Sequence, residues 1–142
     1  MVFPIQSASS APAHTAPPLR VATAGEALFD LIEEPDGRLK PCAGGAVYNL
    51  TRALGLQGVG TLYLNPLSGD MLGRQLAHGL HDAGVALAFP TPVRAPSALA
   101  LAALDTEGKA SYSFYRDGVA DRQVTAAALT ACLLYTSDAA DE

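Results

Sequence analysis

Tryptophan is absent from the 142 residues, aromatic residues make up only 6%, and charged residues only 16%. Basic groups are fewest: Lys+Arg is 9 against 14 for Asp+Glu, giving a net charge of −5. No basic stripe exists to neutralise a phosphate backbone, so nucleic-acid binding is not expected. No apolar run reaches the ~18 residues a membrane-spanning helix needs, and no membrane partner is expected. The start of the chain has neither the basic leader nor the continuous apolar stretch of a secretory signal. Two cysteines, Cys42 and Cys132, are too few for a disulfide framework and fit a reducing, cytoplasmic setting. Scarce charge is not scarce order: a hydrophobic content of 49% excludes a chain that is disordered throughout.

Residues 1–18 are rich in Ser, Ala and Pro and carry no periodicity, which predicts a disordered leader. Order is expected from Leu19. The apolar run Leu19–Ala24 ends at Gly25 and reads as a buried strand, and Ala27–Ile32 continues extended. Pro35-Asp36-Gly37 makes a turn. Gly44-Gly45 opens a helical pattern, with Val47, Leu50, Ala53 and Leu54 on one face and Gly55 as its stop. Val59–Leu64 reads as a strand. Ser68–Ala83 is the clearest helix, capped by Asp70, with Leu72, Leu76 and Leu80 at i, i+4 and i+8 and Gly84 just past its end. A short strand over Val85–Phe89 follows. Ala98–Leu104 and Lys109–Tyr115 flank Asp105-Thr106-Glu107-Gly108, a hairpin signal. Val124–Ala131 starts another helix. Strands alternating with helices imply an α/β fold with a mostly parallel sheet flanked by helices. Residues 132–142 resemble the conceptual translation of a transposase-type sequencing adapter, so the ordered domain is placed at 19–131 and the tail at 132–142. A natural acidic C-terminus is the alternative.

Two general phosphate motifs fail. Gly55-Leu-Gln-Gly58-Val-Gly60 is not G-x-G-x-x-G and follows a helix rather than a strand, and no G-x-x-x-x-G-K-[ST] occurs. His78, His81 and Asp82 have a spacing that metal ligands can use, but a solvated helix face explains them better, so no metal site is expected. Ser68 has neither a G-x-S-x-G turn nor a base and belongs to the start of its helix. Pro41–Asn49 says more. Paired glycines at a helix start let a backbone approach a ligand, free N–H groups there favour oxygen-rich molecules, and Asn49 offers a donor and an acceptor to hydroxyls. A plain Gly-rich loop explains that segment, taken alone, equally well.

The order of four segments breaks the tie. Gly25-Glu26-Ala27-Leu28-Phe29-Asp30 precedes Gly44-Gly45-x-x-x-Asn49, then Gly69-Asp70-Met71-Leu72-Gly73-Arg74, then Phe114-Tyr115-Arg116-Asp117-Gly118-Val119-Ala120-Asp121. This succession, over about Val21–Ala131, resembles the N-terminal half of the ribokinase-like (PfkB) carbohydrate kinases. It looks most like fructokinases and 2-keto-3-deoxygluconate kinases. The resemblance implies a ribokinase-like, Rossmann-type α/β fold with a small lid of strands at about 28–40 and 97–116. It implies an ATP-dependent sugar kinase (a phosphotransferase with an alcohol acceptor) that uses ATP and Mg²⁺ at full length.

By the same resemblance, Asp30 takes sugar hydroxyls, Gly44, Gly45 and Asn49 contact the sugar, and Phe114 and Arg116 cover or bind it. For Arg116 the alternative is an exposed charge at a hairpin end. Val47-Tyr48 stands where the family usually has Pro-Ala, which bears on the local loop shape. The family's G-x-G-D segment, whose Asp is the general base, does not occur in the 142 residues. No catalytic residue, no turnover and no bound cofactor are therefore expected of this chain. A homodimer through the lid is an expectation for the full-length protein. A non-catalytic α/β ligand-binding or dimerisation module is the competing reading.

Overall fold

The computed structural model describes residues 17–104 and 110–138. Most of the expected leader, the hairpin turn at 105–108 and the last four residues of the expected tail lie outside the described residues. The chain runs β1 (Val21–Thr23), β2 (Leu28–Glu33), β3 (Leu39–Gly44), α1 (Ala46–Leu56), β4 (Thr61–Tyr63), α2 (Met71–Asp82), β5 (Ala86–Leu87), β6 (Ala98–Leu104), β7 (Ala110–Tyr115), a 3₁₀ turn (Ala120–Arg122) and α3 (Ala126–Asp138). α3 continues across residue 132, where the adapter-like stretch begins.

Two sheets form. The first is parallel, in the order β1-β4-β5. The second has the order β3-β2-β6-β7, with β2 and β6 parallel and both outer pairs antiparallel. This second sheet, the larger of the two and hereafter the lid sheet, contains the stretches at about 28–40 and 97–116 that the resemblance marks as a lid. Its strand β3 continues past residue 40, through Pro41 to Gly44. A proline argues against a strand only where its N–H is needed, and β3 is an edge strand.

Tyr48 of α1, Tyr63 of β4, and Leu76 and Leu80 of α2 are fully buried and form the centre of the core with Phe29 of β2. Phe29 thus ties the lid sheet to the helices. α2 begins at Met71 rather than at the expected Ser68, which lies outside the helix in an isolated bridge to Val93. The expected cap holds, the Asp70 carboxylate accepting from the Gly73 N–H at 2.6 Å, and Leu76 and Leu80 face inward with Leu72 partly buried beside them.

The expected face of α1 does not hold. Leu50 is 55% exposed, and the buried positions are Tyr48 and Thr51. Apolar periodicity missed them because both are polar residues whose hydroxyls are satisfied inside. The Tyr48 hydroxyl donates to the Leu76 carbonyl at 3.3 Å, and Thr51 Oγ1 lies 2.8 Å from Thr23 Oγ1 and 2.7 Å from the Val47 carbonyl. Nor does Gly55 stop the helix, which continues to Leu56. A Cβ at position 55 would collide with the Ala83 carbonyl, so this glycine serves close packing of α1 on the end of α2.

Candidate functional site

The site is built where the two sheets and α1 meet. β1 leads through Gly25 into β2, and the crossover is fastened on both sides. The Gly25 N–H donates to Asn65 Oδ1 at 2.7 Å, and the buried Tyr63 hydroxyl donates to the Gly25 carbonyl at 2.7 Å. Burial pushes the Tyr63 phenol well above its usual range, with the nearby Asp121 and Glu26 charges adding to the shift, so it serves as a neutral donor.

Asp30 sits in β2, level with Cys42 of β3 and Ala100 of β6, and Ala100 is level with Phe114 of β7. Residues opposite one another share a sheet face. Phe114, Ala100, Asp30 and Cys42 therefore form one row across the lid. The Asp30 carboxylate lies over Gly44, where any Cβ would strike it. Gly45 follows with φ +106°, a conformation that favours glycine, and a Cβ there would strike the Glu26 backbone. These two adjacent demands for a missing side chain are the physical content of the Gly44-Gly45 pair.

The helix start is less open than expected. The Ala46 N–H donates to Glu26 Oε1 at 3.2 Å, and the Tyr48 N–H donates to the Glu26 carbonyl at 3.2 Å. Glu26 thus occupies two of the N–H groups that the sequence offered to a ligand. Asn49, one turn into α1, remains exposed.

Glu26 has a second partner. Its Oε2 pairs with the Arg116 guanidinium at 3.0 Å, and both side chains are about three-quarters buried. Arg116 is therefore not an exposed charge at a hairpin end. Beside it lies Asp121, which is buried and receives the Ala27 N–H at 3.3 Å on Oδ2, while its backbone carbonyl accepts from Asn65 Nδ2 at 2.7 Å. Burial raises the Asp121 carboxyl above its ordinary range, opposed by the Ala27 hydrogen bond and the Arg116 and Arg122 charges. Among the described residues, Arg116 Nε and Asp121 Oδ1 are buried without a hydrogen-bond partner.

Phe114, 59% exposed, and Arg116 line a cleft of about 330 Å³ together with Ser97, Leu99 and Val119. Asp30, Gly44, Gly45 and Asn49 are not among the residues lining it. Asp30 is linked to that side of the lid through the cross-strand row, and Gly45 through Glu26 and Arg116.

Glu26, Tyr63, Asn65 and Asp121 form the scaffold of this region, and sequence reading assigned none of them a role. Glu26 and Asp121 lie inside the quoted segments, so a signal was present. The hydrogen bond from the Ala27 N–H, next to Glu26, to Asp121 spans 94 residues and was not readable.

Neither helix start near the site is built for phosphate. A carboxylate caps α1 through Glu26 and α2 through Asp70. The 142 residues contain no G-x-x-x-x-G-K-[ST] and no G-x-G-D segment. The residues present do not fit ATP or Mg²⁺, and no step runs through either on them.

No family model matches the chain. Among curated proteins, a fructokinase of Rhizobium leguminosarum bv. trifolii is 34% identical over 109 residues, covering 74% of this chain and 33% of that protein. Among solved structures, a fructokinase from Xylella fastidiosa, also solved with bound ATP, superposes with a TM-score of 0.70 at 32% identity over 76% of this chain and 37% of that one. Aminoimidazole riboside kinase from Salmonella enterica, solved with aminoimidazole riboside and an ATP analogue, gives 0.63 at 25% identity, over 76% and 34%. The chain spans about a third of the length of the curated fructokinase from Rhizobium. Over that third, in sequence and in fold alike, the chain is a relative of the ribokinase-like (PfkB) carbohydrate kinases.

Proposed function

We propose that this chain is the sugar-holding part of an ATP-dependent, fructokinase-like carbohydrate kinase that phosphorylates a sugar hydroxyl. The observation that carries the reading is Asp30: a half-buried carboxylate on a lid strand, lying over Gly44 where β3 turns into α1. A carboxylate there can accept two sugar hydroxyls through charge-assisted hydrogen bonds. Asn49 supplies an amide one turn along α1, and Phe114 and Arg116 close the other side of the lid. Glu26 holds Arg116 and the helix start together, so the groups on both sides move as one unit. The lid excludes water, and the held hydroxyls leave one alcohol oriented for transfer. ATP and Mg²⁺ belong, on this reading, to the complete enzyme; the relative solved with ATP supports that assignment. The proposed setting is the cytoplasm, where ATP is supplied; none of the helices described is long and apolar enough to cross a membrane. A homodimer through the lid is part of the proposal, supported by Tyr112, Phe114 and Tyr115 exposed together on β7.

The test is a chimera in which residues 21–131 replace the matching segment of the Rhizobium fructokinase. It should phosphorylate fructose or a related keto sugar with ATP. Asp30→Ala should lower kcat/KM for the sugar about tenfold or more, with KM for ATP and the melting temperature little changed. Asn49→Ala should act in the same direction, more mildly. A folded chimera with no ATP-dependent activity on any keto sugar would refute the kinase reading. Intact sugar kinetics in Asp30→Ala would remove Asp30 from the site.

A further inference from the structure

We propose that His78, His81 and Asp82, at the end of α2, form a binding site for a borderline divalent transition-metal ion of the zinc, nickel or copper(II) class. Sequence spacing alone left these residues as a solvated helix face. The fold adds geometry. Asp82 lies between the two imidazoles, with its Oδ2 3.3 Å from His78 Nε2 and its Oδ1 3.7 Å from His81 Nδ1. One ligand atom from each residue falls within 4.8 Å of the others. The imidazole rings are nearly parallel, 8° apart, with centroids separated by 6.5 Å.

A four-coordinate zinc ion with bonds of ~2.0–2.1 Å needs neighbouring ligand atoms ~3.3 Å apart. The two carboxylate–imidazole separations already approach that value, so an ion can enter with small side-chain rotations. Backbone rearrangement is not required, because positions i, i+3 and i+4 share a helix face. The set lies in the last turn and a half of α2, where the helix dipole is negative and favours a cation. All three side chains are more than half exposed, which leaves the approach open and a coordination position for water. Two nitrogen ligands and one oxygen select borderline ions over magnesium and calcium, which prefer all-oxygen shells. The site is separate from the lid region and stands whether or not the kinase reading is right.

Zinc titration of the intact 142-residue chain, followed by calorimetry, tests it. One saturable zinc site should appear, and millimolar magnesium should not displace the ion. The His78→Ala/His81→Ala double variant should lose that binding, and each single variant should weaken it about tenfold or more; Asp82→Asn should weaken it severalfold. All variants should melt without metal as the parent does, because the three residues are exposed. Copper(II) should bind more tightly than zinc at the same residues, and its electron paramagnetic resonance spectrum should show nitrogen couplings that vanish in the double variant. Absence of saturable zinc binding would overturn the proposal. So would equal binding by the double variant, which would place the ion on Cys42, Cys132 or His14.

Discussion

Glu26 offers both carboxylate oxygens to different elements, Oε1 to the start of α1 and Oε2 to Arg116 after β7. A largely buried, charge-assisted pair of this kind is worth more than a surface ion pair, on the order of 1–3 kcal/mol. Glu26→Gln and Arg116→Met should each lower stability by about 1–2 kcal/mol in urea unfolding. Their double-mutant cycle should show a coupling of at least about 0.5 kcal/mol. Additive losses would mean that the two side chains are neighbours without being partners. Asp70 works by another route. Burial opposes its ionisation, but hydrogen bonds from the Gly73 and Ser97 N–H groups and the Ser97 and Ser68 hydroxyls prevail and hold its pKa below the ordinary value. A lowered carboxyl pKa gives stability that is complete above the unfolded value of about 3.9 and lost as pH falls through the folded one. Asp70→Ala should therefore cost about 1–2 kcal/mol at pH 7, with the gap from the parent shrinking as the pH falls below about 4. An equal gap at pH 3 and pH 7 would contradict this account.

At the scale of elements, β7 is the most unusual. It closes one edge of the lid, and Tyr112, Phe114 and Tyr115 are each more than half exposed. Tyr112 and Phe114 stack with centroids 6.1 Å apart. An edge strand bearing exposed aromatics invites pairing with another chain. The aromatics are expected to drive self-association, which analytical ultracentrifugation would measure. Tyr112→Ser combined with Phe114→Ser should weaken it about tenfold or more; an unchanged dissociation constant would locate the contact elsewhere. β3, at the opposite edge, carries Pro41 and Lys40, both of which discourage strand addition. That asymmetry is why β7 is the edge on which association is expected.

On the scale of the whole molecule, the parallel sheet and its helices act as a platform, and the lid sheet is joined to it through Phe29, the Gly25 crossover and the Glu26–Arg116 pair. Phosphoryl transfer depends on positioning and on charge stabilisation around the phosphates. The 142 residues carry no G-x-G-D segment, and among the described residues the helix starts near the site, those of α1 and α2, are both capped by a carboxylate. The purified chain is therefore expected to show no ATP-dependent phosphorylation of fructose or 2-keto-3-deoxygluconate above a no-protein control. Turnover that survived repurification would show that catalysis needs less than the proposal assumes.

Local signals were enough for α2, because cap, leucine spacing and terminal glycine all agree there. They were also enough for β6 and β7, whose apolar and alternating arms flank a turn signal, and the succession of four short segments pointed to the family. Local signals failed where tertiary context overrode them. Thr51 is buried because Thr23, 28 residues away, shares its hydroxyl contact, and no apolar period can register that. Pro41 lies in a strand because β3 is an edge, a fact that depends on where the other strands dock. For Arg116 the sequence left open a substrate-covering role and a loose charge at a hairpin end, and only the fold brought Glu26 to it across 90 positions in the chain. The sequence by itself determined which segments are apolar, capped or free to turn, since those properties rest on neighbours within a few residues. Only the tertiary structure decided which polar groups are buried and paired, because burial and pairing are properties of residues that meet after the chain has folded.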